Sequence, residues 1–362
     1  MRTSVARLVL MGSGAASAIL PMTLLAGSAA LYGSDYAGTY AFVLTLSAFG
    51  AQLLSAALVE ARIGMGVSDL RLPSRLLWLS IVGLALSPAG LWLPAVGAVG
   101  MGLILMALDP ARLSSIVNGG ARVEFSVAVL IGVVALWLLL APSALLIWIV
   151  APIVATSAVV VRWRAYSGME KRAFRLDGGW IVAETAVTGV TQPILNGAIL
   201  GYLGPQASVA FRMTSSLINV FSPALTFARV RLLARASVGD LIMSSVVVIA
   251  LAIGLLIPNI FGLWSFVFGE SWVSVTTIAI CAAIVWKIAS LASTVPFARL
   301  RRTGYARLIF LLRLTSTLIY GVLALSTLFL FRDVSAVFIS FAVSEVLTAC
   351  LYGAFAWIKR SA

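Results

Sequence analysis

Glu184, Arg212, Lys287 and Glu345 are four ionisable side chains inside long apolar runs. A charge at mid-membrane depth costs on the order of 2.5–3.5 kcal/mol on insertion scales, so such groups are candidates for function by default. Two are cations that could attract an anionic group, and two are carboxylates that could take up a proton or an ion. Around Arg212, the residues Ser215, Ser216, Asn219, Ser222 and Thr226 recur at three- and four-residue steps, which is one face of a helix. Glu184 is followed by Thr188, Thr191, Gln192 and Asn196 in the same way, Lys287 has Thr276, Ser290 and Thr294 on its run, and Glu345 has Thr348 and Tyr352. Polar stripes on otherwise apolar helices suit the wall of a wet cavity.

Each residue also has a plainer role open to it. Arg212, about two turns from one end of its run, and Glu184, near the other end of its own, have the option of snorkelling to the headgroups. Lys287 and Glu345 sit close to mid-run, which favours function or mutual pairing. Ser, Thr and Asn on membrane helices also simply hold neighbours together.

The elements that must carry these residues follow from composition. Of the 362 residues, 62% are hydrophobic and 10% charged, with mean hydropathy +1.10, whereas soluble domains are about 45–50% apolar and about 25% charged. This is the composition of an all-α polytopic membrane protein, and the unit to count is a span of about 20 apolar residues. The apolar runs predict about twelve transmembrane helices: 8–31, 36–59, 76–92, 95–116, 123–141, 144–161, 178–201, 206–230, 241–266, 272–297, 308–331 and 334–357. The first run, preceded by Arg2 and Arg7, is longer than a signal-peptide core and reads as a span.

Lys and Arg set the expected orientation. With the N-terminus in the cytoplasm, inward segments hold Arg62, Arg71, Arg75, Arg162, Arg164, Lys171, Arg172, Arg229, Arg231, Arg235 and Arg299, while the outward loops hold only Arg332. That asymmetry predicts both termini inside. The formal net charge of +13 is thus spread over loops facing an anionic leaflet, so nucleic acid is not an expected partner.

Two six-helix lobes are expected: 1–164, a cytoplasmic linker 165–177, and 178–362. The halves resemble each other as a parallel pseudo-repeat. At an offset near 171, Gly33 meets Gly204 and Tyr40 meets Phe211; Pro21 and Pro193 sit at nearly matching places as helix-kink candidates. Pro-interrupted helices at corresponding positions of two repeats are a recurring plan for transporters.

Several chemistries are disfavoured. The chain has no histidine, which removes His-based nucleophile activation and His metal sites. Cys281 and Cys350 lie inside apolar runs, so no disulfide framework, metal or cofactor is expected. No Gly-rich loop with Lys and Ser/Thr is present for nucleotide hydrolysis. No catalytic residue is assigned and an enzyme is not expected.

The hairpin "ALYGSDYAGTYAFVLTLSAFG", its second-half counterpart "ILGYLGPQASVAFRMTSSL", the run "FVFGESWVSVTTIAICAAIVWKIASLAS" and the turn "RRTGYAR" resemble the corresponding parts of Wzx-type polysaccharide or O-antigen flippases. These belong to the multidrug/oligosaccharidyl-lipid/polysaccharide exporter superfamily. The resemblance covers nearly the whole chain, which is shorter than members usually are. It implies alternating-access movement of an undecaprenyl-pyrophosphate-linked oligosaccharide across a bacterial inner membrane. Membrane lipids are then further partners, and a polysaccharide polymerase or glycosyltransferases are candidate protein partners. Arg212 and Lys287 would hold the pyrophosphate, Asn219, Gln192 and Asn196 would meet substrate, and Glu184 or Glu345 would serve ion coupling. The rival functions are a cation-coupled exporter of amphipathic drugs and a non-transporting scaffold of a polysaccharide-synthesis complex.

Overall fold

The computed structural model describes residues 3–60, 62, 70–167, 176–225, 228, 232, 238–272, 274–302 and 306–361. Thr226, the loop cations Lys171, Arg172, Arg229, Arg231 and Arg235, and most of the expected linker 165–177 lie outside them.

Among the described residues the chain is helical, with one isolated bridge, Leu72 to Ser167, and no strand. The helices are α1 (Thr3–Ser55), α2 (Ser74–Leu86), α3 (Pro94–Val117), α4 (Ala121–Leu140), α5 (Ala151–Tyr166), α6 (Leu176–Gly189), α7 (Thr191–Leu203), α8 (Pro205–Ile218), α9 (Val238–Ile260), α10 (Leu263–Phe268), α11 (Thr277–Arg302), α12 (Ala306–Phe331) and α13 (Val334–Ser361). Short 3-10 or π segments extend several of them, including Leu146–Val150 before α5 and Asn219–Phe221 after α8.

Among the described residues nine helical stretches are long and apolar enough to cross a membrane, and with the shorter paired helices they follow the layout of about twelve expected passes. At about 1.5 Å per residue, the apolar part of α1 and its extension, Ala16–Glu60, is about twice the length one bilayer crossing needs. It is two passes broken at Gly33, whose φ of 80° and ψ of 175° are not helical. Pro21 lies inside the first arm. In the second half, α6 and α7 together make one pass, interrupted at the turn of Val190, with Pro193 as the third residue of α7.

The break after that pass repeats the first. Gly204, between α7 and α8, has φ 92° and ψ −179°, nearly the dihedrals of Gly33. This region is essentially closed to residues with a Cβ. Two glycines 171 positions apart thus end equivalent helices in the same way, as a parallel pseudo-repeat requires. A second echo is the tripeptide Gly-Leu-Trp, at 90–92 and again at 262–264, in both cases at the end of the third pass of a half.

One boundary differs from expectation. The ninth pass ends at Ile260, not 266, and the tenth begins at Thr277, not 272. Left-handed Gly262 caps the first break, and α10 then makes a separate short helix before Gly269, φ 56°. The tryptophans and phenylalanines there read as continuous span by hydropathy. Instead Trp264, Phe268 and Trp272 stack on one another at ring distances of 5.4–6.2 Å.

The second arm of α1 is the spine of the bundle. α1 as a whole packs with α3 and α4 in its own half and with α7 and α8 of the other, and its second arm meets α7 and α8 through Thr45 and Gly38. Close approach needs small residues, and a Cβ on Gly38 would come within 2.6 Å of the Pro205 backbone. Large apolar side chains such as Trp137, Phe266, Leu330 and Trp357 remain exposed on the outside, as a lipid-facing surface requires.

Candidate functional site

α8 starts with Pro205 directly after Gly204, so its register is fixed at its first turn. Arg212 lies on its polar face, 7% exposed, and its Nε has no hydrogen-bond partner. Ser215 is on the same face, and Asn219 follows where the helix tightens into a 3-10 turn. Lys287, on α11, places its Nζ 3.9 Å from the centre of the Trp286 ring, a cation–π contact. Glu345, on α13, accepts a hydrogen bond from Ser293 of α11 at 2.6 Å. Lys287 and Glu345 do not form an ion pair with each other.

These residues face one cavity of about 320 Å³. The second arm of α1 contributes Thr45 and Gln52, α6 and α7 contribute Thr188 and Gln192, α8 and its extension Arg212 and Asn219. The remaining wall comes from α11, α12 and α13. Gln192 donates from Nε2 to the Tyr320 hydroxyl at 3.0 Å, and Tyr320 stacks on Phe341 at 4.4 Å. Five of the seven polar candidates read from the sequence, Arg212, Lys287, Asn219, Gln192 and Glu345, therefore share a wall. Many of the hydroxyls around them bond back to their own helices, as Thr294 does to the Ser290 carbonyl at 2.7 Å and Thr348 to that of Ser344 at 2.8 Å.

Two candidates are placed elsewhere. Asn196 is fully buried and off the cavity wall. Its Nδ2 donates to Thr45 Oγ1 at 2.8 Å and its Oδ1 accepts from Ser208 at 2.9 Å, tying α7 to α1 and α8. Glu184 stands behind the wall, where its Oε1 is 3.2 Å from Arg313 Nε.

Arg313 itself lines the cavity. It lies within the predicted span 308–331 and was missed because it follows the basic turn "RRTGYAR" so closely that it reads as flank. The signal was present: Arg313, Ser316, Thr317 and Tyr320 recur at helical steps, and all four line the cavity. Charges in the first half were missed too. Asp109 and Arg112 pair at 2.9 Å within α3, with Ser55 donating to Asp109 at 3.4 Å. Arg162 and Glu124 form a fully buried pair between α5 and α4.

The cavity wall thus carries three cations, Arg212, Lys287 and Arg313, against one carboxylate, Glu345. Charge-assisted, forked donors beside hydroxyls, amides and aromatic rings can hold a polar anion with a carbohydrate-like body.

No family model and no curated protein matches the chain. Solved structures do. A MATE in the bent conformation superposes with TM-score 0.53 at 11% identity over 99% of this chain and 94% of that one. Its fold is that of MATE transporters. The MATE multidrug transporter DinF-BH gives TM-score 0.53 at 15% identity, over 99% and 95% of the two chains. An outward-facing multidrug resistance MATE family transporter of the MOP superfamily gives 0.51 at 13%, over 98% and 95%. At such identities the likeness concerns the fold alone.

Proposed function

We propose that the protein is a flippase for an undecaprenyl-pyrophosphate-linked oligosaccharide, a transporter and not an enzyme, acting in cell-surface polysaccharide biosynthesis at a bacterial inner membrane. The observation that carries this is the charge of the cavity: Arg212, Lys287 and Arg313 against Glu345, on walls rich in hydroxyls and amides. An unpaired cation inside a membrane bundle costs folding energy, and a pyrophosphate would recover it on binding. Asn219 and Gln192 would meet sugar hydroxyls, with Trp286 and Tyr320 as flat surfaces beside them. Asn196 holds the cavity's frame instead. Lobes 1–164 and 178–362, joined by the linker 165–177, would move against each other with both termini in the cytoplasm. Glu345, bonded to Ser293, and Glu184, facing Arg313, are the carboxylates for ion coupling.

A second reading, a cation-coupled exporter of amphipathic drugs, is favoured by the multidrug transporters among the fold neighbours. The cationic wall speaks against it for cationic drugs. Pocket polarity also varies on this fold: a MOP superfamily transporter from Pyrococcus furiosus Vc1 (DSM3638), TM-score 0.50 at 13% identity over 98% of this chain and 95% of that one, is described as having a reverse polarity of binding pocket that suggests a different function.

The test is transbilayer movement of a fluorescent undecaprenyl-pyrophosphate oligosaccharide in liposomes holding the purified protein, read by quencher accessibility. Movement by the wild type, lost in Arg212→Gln and Lys287→Gln, supports the flippase. Ion-driven drug efflux without glycan movement establishes the exporter. Neither activity leaves a scaffold subunit of a polysaccharide-synthesis complex.

A further inference from the structure

The Arg313–Glu184 contact differs in kind from the inter-helix ion pair of Arg162 and Glu124. Arg162 and Glu124 are both 0% exposed, and Nε and Nη2 of the arginine each donate to a carboxylate oxygen at 2.8 Å. Arg313 and Glu184 keep 28% and 16% of their side chains exposed. Their closest approach is 3.2 Å, and the Arg313 Nε finds no hydrogen-bond partner. The first pair is sealed and bidentate, although the remaining Arg162 Nη1 finds no partner. The second is half-open beside a cavity, with the guanidinium fork unspent.

Position separates Arg313 from the other two cations. Its guanidinium lies 4.8 Å from the Phe297 ring, whereas Trp286, next to Lys287, lies 6.3 Å from Tyr320. From 313 to 320 along α12, and from 287 to 297 along α11, is about 10–15 Å at 1.5 Å per residue. Arg313 therefore stands two to three turns from Lys287 along the bundle, toward the end where α12 begins.

We propose that Arg313 is a separate anion-receiving residue at the mouth of the cavity, masked by Glu184 until an incoming pyrophosphate takes the carboxylate's place. This rests on the anion-binding reading of the cavity and adds a first station to it. A pyrophosphate offers the guanidinium two oxygens in fork geometry and more than one negative charge, so it outcompetes a carboxylate held by one bent contact. Without an anion, Glu184 neutralises Arg313 and keeps its intramembrane cost low. The exchange makes and breaks only ion pairs. It also gives the mouth a selectivity: ligands without a strong anionic group leave the Arg313–Glu184 pair closed.

The experiment is calorimetric titration of inorganic pyrophosphate into the purified full chain in nanodiscs, with melting temperature measured for every variant. Removing the mask, Glu184→Gln, should tighten binding about tenfold, and Arg313→Gln should weaken it about tenfold, the scale of one charge-assisted hydrogen bond. The double variant should bind like Arg313→Gln, because a mask without its cation has nothing to hide. Arg313→Lys keeps the charge without the fork and serves if Arg313→Gln does not fold; it should bind more weakly than wild type. Unchanged affinity in Glu184→Gln and the Arg313 variants, with only melting temperature lowered, would make the pair structural and overturn the proposal. In that case loss of binding in Arg212→Gln and Lys287→Gln would still leave the anion-binding cavity standing. If those two also bind like the wild type, or the wild type does not bind pyrophosphate, the cavity reading falls with it.

Discussion

Arg162 and Glu124, 38 residues apart on α5 and α4, form a bidentate ion pair that is fully shielded from solvent, with two N–H donors at 2.8 Å. Counted by sequence position alone, Arg162 is one more cation flanking a span. In the fold it ties α5 to α4, while nearby Asn118 donates to the Leu70 carbonyl and accepts from the Leu70 amide.

Removing one partner of such a pair leaves a buried charge. Glu124→Gln should therefore cost about 3–5 kcal/mol, while the apolar double variant Glu124→Leu/Arg162→Met should regain most of it. Melting in detergent, followed across the three proteins, checks the order.

The cavity cations should behave in the opposite way. Arg212 has no ion-pair partner among the described residues, and Lys287 rests on the Trp286 ring without an ion pair to Glu345. Arg212→Gln and Lys287→Gln should melt at or above the wild-type temperature, since an uncompensated membrane charge is removed. Both should lose glycan movement by about tenfold or more, as expected for one charge-assisted hydrogen bond. A loss of movement accompanied by collapse of the melting temperature would count against a binding role.

Asn196 and Gln192, four residues apart, should separate cleanly. Asn196→Ala breaks the links to Thr45 and Ser208 and should lower stability by about 1 kcal/mol while leaving pyrophosphate affinity within twofold. Gln192→Ala, on the cavity wall, should leave stability nearly unchanged and slow glycan movement. Paired melting and quencher assays on both variants read the contrast.

The matched glycines Gly33 and Gly204, both at positive φ, make a symmetric prediction. Gly33→Ala and Gly204→Ala meet no steric obstacle from neighbours, so each should cost only the backbone strain, about 1–3 kcal/mol. Gly38→Ala, with Pro205 in the way of its Cβ, should cost more and should loosen the contact between α1 and α8. Melting temperatures of the three variants in detergent check the order.

Hydropathy and spacing fixed much of this protein from its sequence. Runs of about 20 apolar residues admit only helices in a bilayer, because every backbone amide must be satisfied within its own segment. That is why the twelve passes were legible to within a few residues, except where Gly262 and Gly269 insert a short helix into an unbroken apolar run. The three- and four-residue steps around Arg212, Lys287 and Glu345 likewise identified faces, since helical period alone decides which side chains share one. Which face meets which is a property of helix packing, with partners up to 151 residues apart, as for Asn196 and Thr45. Only the tertiary structure could therefore turn Asn196 from the cavity into a strut, bring Arg313 onto the wall and set Glu184 against it. It also drew Arg162 out of the loops into a sealed pair, because ion pairs between helices depend on crossing and register that no single helix encodes.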